Sequence, residues 1–403
     1  MHDLESLRRM VSDGLDLTGE ISDDELYRRI DELLIRLGRE EYFPLSERMY
    51  CRRALYDSFR RLDVLSEALD EMGVTEVMVN GADHIFIEKD GRIVPFHKRF
   101  TSEGKLEDVV QKIVAAVNRR VNESNPMVDA RLDDGSRVNI VLPPIALDGP
   151  VITIRRFCEK PPDMEQLIAW EAVSEEAVSF LKLLVKAKYN IFISGGTGSG
   201  KTTFLGALAG FIAPDERVIT IEDSAELRLV QVKNLVRLEA RAASQEGTGE
   251  VSIRDLIRNS LRMRPDRIIV GEIRGKEALE MLQAMDTGHN GSMSTGHANS
   301  PEDMLSRIET MVLMGMDLPL AAIRGQIASA LDIMIHLGRL RDRSRKVLSI
   351  SEVSGIYEGQ VKLKRLYEFQ ETREADGKIC GRLVRCGELE HTGKLAEAGL
   401  LPA

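Results

Sequence analysis

Gly195, Gly196, Thr197, Gly198, Ser199, Gly200, Lys201 and Thr202 satisfy the pattern G-x-x-x-x-G-K-[ST] at every fixed position. The chemistry of that pattern is phosphate binding. Glycines let backbone N–H groups close around phosphate oxygens, and the helix that follows, starting near Thr203, adds its positive dipole end. In this arrangement Lys201 reaches the β- and γ-phosphates of a nucleotide, and the Thr202 hydroxyl ligates Mg²⁺. A glycine-rich turn ahead of an ordinary helix is the plain alternative, and the full match argues against it.

Three further stretches offer groups that such a phosphate would need. Val218, Ile219, Thr220 and Ile221 run directly into Glu222, Asp223 and Glu226, carboxylates at a strand end that suit Mg²⁺ and water positioning. Ile268, Ile269 and Val270 lead through Gly271 to Glu272. This second run has the form of the second nucleotide motif of phosphate-loop ATPases, with Gly271 where an Asp is usual. Glu272 is placed to orient or deprotonate an attacking water, while magnesium rests on Thr202 with help from the first acidic stretch. Between Gly288 and Ser300, small and hydrogen-bonding residues dominate around His289 and His297. No cysteine or third histidine lies nearby, so a γ-phosphate sensor with His297 as its main residue is favoured over a metal site.

These groups must be positioned by a sheet. Residues 190–194 read as a buried strand, 203–209 as the helix leaving the loop and 174–188 as a helix ahead of it. Strands alternate with helices from there onward, which implies an α/β fold with a mainly parallel sheet and its ligand at the carboxyl ends of the strands. In residues 253–264, Ile253, Leu256, Ile257 and Leu261 form an apolar face beside Arg254, Arg258 and Arg262. That stripe is either solvated or turned to a neighbouring subunit.

Four segments frame residues 173–370, which carry the motifs. Residues 1–62 form a helical module whose second helix is expected to continue from Ser46 through Leu55, Phe59 and Leu65 to Leu69. Residues 63–157 alternate as short strands with one helix through Leu106, Val110 and Ile113, a smaller α/β domain. Pro161 and Pro162 mark residues 158–172 as an extended linker. The tail, 371–403, carries no assignable role.

Among 403 residues, 55 Lys+Arg against 65 Asp+Glu give a net charge of −10, which argues against wholesale coating of nucleic acid. Met1, His2, Asp3, Leu4 and Glu5 lack the basic start of a signal peptide, and no apolar run reaches spanning length. Cys51, Cys158, Cys380 and Cys386 are scattered without a C-x-x-C pair, as in a reducing compartment. The expected location is the cytoplasm.

With residues 195–202, 221–226, 261–272 and 294–299 in this order, the chain resembles the type II/type IV secretion ATPases, whose four stretches are the Walker A, Asp, Walker B and His boxes. Residues 128–139 and 153–157 look most like the CpaF branch, which powers tight-adherence (Flp) pilus assembly. The resemblance implies a RecA-like P-loop NTPase domain preceded by the smaller α/β domain, assembled as a homo-hexamer that binds ATP and Mg²⁺. It implies that Glu272 is the catalytic glutamate, Glu222 and Glu226 the Asp-box acids, and His297 the main His-box residue. Arg131 and Arg137 match arginines that reach the nucleotide from the N-terminal domain. It further implies that the protein sits peripherally on the inner membrane, with a polytopic platform protein of a pilus or secretion system as its partner and no nucleic acid. A RecA-type nucleic-acid translocase and a non-hydrolysing nucleotide-dependent scaffold remain the alternatives. Pilus extension, retraction and secretion are not separable from these residues.

Overall fold

The computed structural model describes residues 3–15, 21–117, 121–157, 160–241, 243, 248–375 and 377–401. The chain divides into two compact units, Met1–Cys158 and Glu159–Ala403.

The first unit opens with helices α1 (Leu4–Asp13), α2 (Asp23–Glu40) and α3 (Leu45–Arg60). They share a core of Leu7, Val11, Leu26, Ile30, Leu33, Cys51 and Leu55. The helix expected to run through to Leu69 is instead broken at Arg61, and α4 (Val64–Asp70) begins afresh. The break is forced by Asp63, which has φ of 54° and accepts a hydrogen bond from the Val64 N–H. It lets Leu55 pack among helices while Leu65 packs under a sheet, which one continuous helix could not do. That sheet holds β1 (Val74–Asn80), β2 (His84–Lys89), β3 (Arg92–Pro95), β4 (Met127–Arg131), β5 (Arg137–Val141) and β6 (Val151–Arg155), with α5 (Glu103–Ala116) between β3 and β4. Its order is β3-β2-β1-β6-β5-β4, and every pairing is antiparallel.

The second unit begins with α6 (Met164–Ala169) and α7 (Glu175–Lys186). The stretch expected to be an extended linker therefore contains a helix. An Asp163–Gln166 capping box starts α6, and Met164 and Leu167 anchor it in the second unit's core. Cys158 and Glu159 lie outside the described residues.

Then follow β7 (Ile191–Gly195), α8 (Lys201–Ala209), β8 (Arg217–Glu222), β9 (Asn234–Glu239), α9 (Ile253–Ser260), β10 (Arg267–Val270), α10 (Ala278–Asp286) and β11 (Met293–His297). The chain continues through α11 (Pro301–Gly315), α12 (Leu320–Ala330), β12 (Ile333–Arg339), β13 (Arg345–Tyr357), β14 (Gln360–Ala375), β15 (Lys378–Arg385) and α13 (Gly393–Glu397). The nine-stranded sheet has the order β15-β14-β13-β12-β7-β11-β10-β8-β9. From β12 to β9 it is parallel, and β12 to β15 form an antiparallel meander. The strand–helix alternation thus stops at β12. Glu358 and Gly359, with φ of 49° and 73°, make the tight turn from β13 to β14 in place of a crossover helix.

The tail is no appendage. Residues 371–375 complete β14, β15 adds the sheet's edge, and Leu395 of α13 is buried in the same core as β7. The Tyr189 hydroxyl donates to the His391 carbonyl oxygen at 2.6 Å, fastening the tail beside the first strand of the site.

No single helix among the described residues is long and apolar enough to cross a membrane.

Candidate functional site

β7 is buried along its whole length because it lies in the middle of the sheet with helices on both faces, and it delivers the phosphate loop at its carboxyl end. Gly200 takes φ of 93°, a left-handed conformation that glycine adopts without penalty, and turns the chain into α8. It brings no side chain to cap that helix, so the first amides of α8 face the loop's concavity. Ser199 closes the loop by donating its hydroxyl to the Gly196 carbonyl at 2.8 Å. Arg345, at the start of β13, donates Nε to the Gly198 carbonyl at 2.9 Å.

The Lys201 ammonium folds back over this cradle. It donates to the carbonyls of Gly195 at 3.1 Å and Gly196 at 2.9 Å. It also stands 3.1 Å from Nδ1 of His297. The other ring nitrogen, Nε2, lies 2.9 Å from Oε1 of Glu272, a close contact without the alignment of a full hydrogen bond. The second Glu272 oxygen accepts from Arg274 at 2.7 Å. Residues 201, 297 and 272 thus form one continuous polar chain across the ends of α8, β11 and the turn after β10.

Burial pulls the His297 imidazole below its ordinary value, and the Lys201, Arg274 and Arg307 charges push the same way against the opposing pull of Glu272. The ring is therefore neutral at pH 7.

Glu222 ends β8, and its Oε1 accepts from the N–H groups of Glu226 and Leu227, both at 3.0 Å. Its Oε2 is buried with no hydrogen-bond partner. Burial, reinforced by the Glu226 charge, raises its carboxyl above the ordinary range despite the two N–H donors. The departure noted at residue 271 has its explanation here, because a Cβ on Gly271 would stand 2.8 Å from Cγ of Glu222. Glu222 occupies the room that a longer side chain at 271 would need.

Thr197 and Gly196 line a cleft of about 550 Å³ together with His297, Asn299, Asp303 and Arg307. Thr202 and Thr203 are half-buried in the first turn of α8. The set fits a nucleotide with magnesium: a glycine cradle, an ammonium resting on loop carbonyls, the hydroxyl of Thr202 and a buried carboxylate oxygen left unpartnered at Glu222. Hydroxyl and carboxylate oxygens are the donors a hard cation takes.

Sequence reasoning missed Arg274, two residues beyond Glu272 on a turn, where no spacing rule marks it. It also missed Asp303 and Arg307, which reach the cleft only because α11 starts beside β11. His289 is drawn into structure elsewhere, its Nδ1 standing 3.2 Å from the Ala284 carbonyl. No group of three potential metal ligands of the His, Cys, Asp and Glu type occurs among the described residues. Arg254 and Arg258 both converge on buried Glu280, at 2.6 and 2.8 Å, Arg254 being half-buried while Arg258 stays exposed.

Arg131 and Arg137 belong to the first unit. They face each other across β4 and β5, and Arg137 is also in register with Arg155 of β6. Arg131 donates Nε to the Gly135 carbonyl at 3.1 Å and lies over the Phe157 ring. Arg155 is the third member of a cationic row that the sequence did not single out.

Conjugal transfer protein TrbB of Rhizobium radiobacter is 32% identical over 307 residues, covering 75% of this chain and 90% of TrbB. Type IV secretion system protein PtlH of Bordetella pertussis is 35% identical over 302 residues, covering 69% of this chain and 89% of PtlH. The solved structure of the Legionella pneumophila ATPase DotB matches with a TM-score of 0.51 at 21% identity, over 74% of this chain and 81% of that one, a likeness of fold. Residues 61–393 match the family described as type II/IV secretion system protein, and the chain belongs to that family.

Proposed function

We propose that this protein is an ATP-hydrolysing motor of the CpaF type that works as a homo-hexamer on an inner-membrane platform, driving assembly of a tight-adherence pilus or protein secretion. The observation that carries the hydrolytic part is the chain Lys201–His297–Glu272, which joins the phosphate loop to a carboxylate through a neutral imidazole. The relatives' names, a conjugal transfer protein and a type IV secretion protein, support the secretion setting.

In this reading Gly195, Gly196, Thr197, Gly198, Ser199, Gly200 and Thr203 hold the phosphates through backbone and first-turn groups. Lys201 leaves the loop carbonyls for the β- and γ-phosphate oxygens. Thr202 would hold Mg²⁺ with help from the acids Glu222 and Glu226, and the ion would neutralise charge on the phosphate oxygens. Glu272 accepts a proton from the attacking water as the water oxygen bonds to the γ-phosphorus. The bond from that phosphorus to the β,γ-bridging oxygen breaks, giving ADP and phosphate. His297 senses the γ-phosphate by exchanging its contact with Lys201. Arg131 and Arg137 supply the positive charge that this reading asks of the first unit.

The test is hydrolysis by the purified full chain. Magnesium-dependent phosphate release, lost with nucleotide binding in Lys201→Ala, is the expected result. Binding without release would leave the scaffold reading standing, and release that needs single-stranded DNA would favour the translocase.

A further inference from the structure

We propose that His336 is a positioning residue for the nucleotide reaction, bracing from β12 the end of the strand that delivers the phosphate loop. His336 lies on β12 directly across from Ser194 of β7. Its Nδ1 stands 2.9 Å from the Ser194 hydroxyl, and both residues are buried, His336 being 6% exposed and Ser194 0%. Ser194 immediately precedes Gly195, whose carbonyl holds the Lys201 ammonium.

A neutral imidazole has one acceptor nitrogen and one N–H, so in either tautomer Nδ1 can pair with a hydroxyl, which both donates and accepts. His336 is kept in that state: burial depresses it below its ordinary value, the Arg365 charge pushes the same way, and Glu302 and Asp303 oppose without prevailing. An ordinary core histidine would stabilise the fold and leave turnover alone. This one differs in where it is attached, because Ser194 immediately precedes Gly195, whose carbonyl accepts from Lys201 and which lies in register with His297. β7 is paired with β11 along residues 191–195 on one side, and the His336 contact braces the same strand from β12 on the other.

The inference rests on the ATP-hydrolysing reading of the site. The experiment is steady-state hydrolysis of magnesium ATP by full-length wild type, His336→Leu, His336→Gln, Ser194→Ala and the Ser194→Ala/His336→Leu double variant. Loss of one buried hydrogen bond predicts that kcat falls about tenfold in His336→Leu and Ser194→Ala, with KM for ATP within about twofold of wild type. His336→Gln, which keeps a donor and an acceptor, recovers most of the rate. The double variant is no slower than the slower single variant, because both remove the same tie. If His336→Leu does not fold, Ser194→Ala, which deletes a single hydroxyl, carries the test. Wild-type kcat in Ser194→Ala, or losses that multiply in the double variant, would overturn the proposal. A wild-type protein that releases no phosphate overturns the ATPase reading instead, and the two failures are distinct.

Discussion

Nε2 of His297 stands 2.9 Å from Oε1 of Glu272. The pairing places a neutral ring between the carboxylate and the Lys201 ammonium, so the lysine and the glutamate are held apart while remaining connected. A γ-phosphate entering the loop competes for Lys201, and His297 is then left to Glu272 alone. Glu272→Gln keeps the shape of this contact but cannot take a proton from water. We expect nucleotide affinity within about threefold of wild type and phosphate release reduced by about 10²–10⁴-fold, the usual range for loss of a general base. Binding of a fluorescent ATP analogue and single-turnover phosphate release measure the two separately. Undiminished release would remove Glu272 from the reaction.

Gly271 gives the second prediction. The usual acid at this position would put a Cβ 2.8 Å from Cγ of Glu222, whose own backbone partners fix it in place. Gly271→Asp should therefore destabilise the fold by about 1–3 kcal/mol through overpacking and lower turnover, despite bringing the sequence nearer the common motif. Denaturant midpoints read the first effect. Shortening Glu222 in the same chain should recover part of the lost stability, since the clash is with its side chain.

The phosphate loop, Glu222, Glu272 and His297 were legible because their chemistry requires fixed residue types at strand ends, and the parallel order of β12, β7, β11, β10, β8 and β9 brings those ends together. What was not legible depends on contacts between segments distant in sequence. Nothing local predicts that Arg274 turns back to Glu272, that Arg254 and Arg258 converge on Glu280, or that the tail hydrogen-bonds beside Tyr189. The helix break at Asp63 was hidden for a related reason. Leu62, Leu65 and Leu69 continue the apolar spacing of α3, and periodicity does not record that Leu55 and Leu65 belong to separate cores. The meander after β12 was missed because its long strands alternate charged and apolar residues at a sheet edge, a weaker signal than the buried runs of β7 and β10.

Arg345 supports the loop from outside. Its guanidinium donates to the Gly198 carbonyl at 2.9 Å, holding a carbonyl of the loop whose N–H groups would meet phosphate. Arg345→Ala should weaken nucleotide binding several-fold, up to about tenfold for a charge-assisted hydrogen bond in an exposed position, while kcat at saturating ATP stays within about twofold. Isothermal titration and saturation kinetics distinguish this from a defect in catalysis. A fall in kcat at unchanged affinity would place Arg345 in the reaction rather than under the loop.

Glu222 ties stability to pH. Its carboxyl is raised above its ordinary value of 4.5, chiefly by burial, so the folded state holds its proton at pH values where the unfolded chain has released it. The contribution to stability is full below 4.5 and is lost as pH rises through the raised value. Once ionised, the carboxylate is a cost, with Oε2 buried and unpartnered. Glu222→Gln removes the titration and keeps an oxygen for the Glu226 and Leu227 N–H groups. The stability of the variant relative to wild type should therefore improve as pH rises above 4.5 and level off once the raised value is passed, as read from denaturant midpoints at each pH, while magnesium-dependent phosphate release falls in the same protein. A stability difference that does not change over that range would mean that Glu222 is not the strained acid, and an unchanged rate would mean that its unpartnered oxygen is not awaiting a cation.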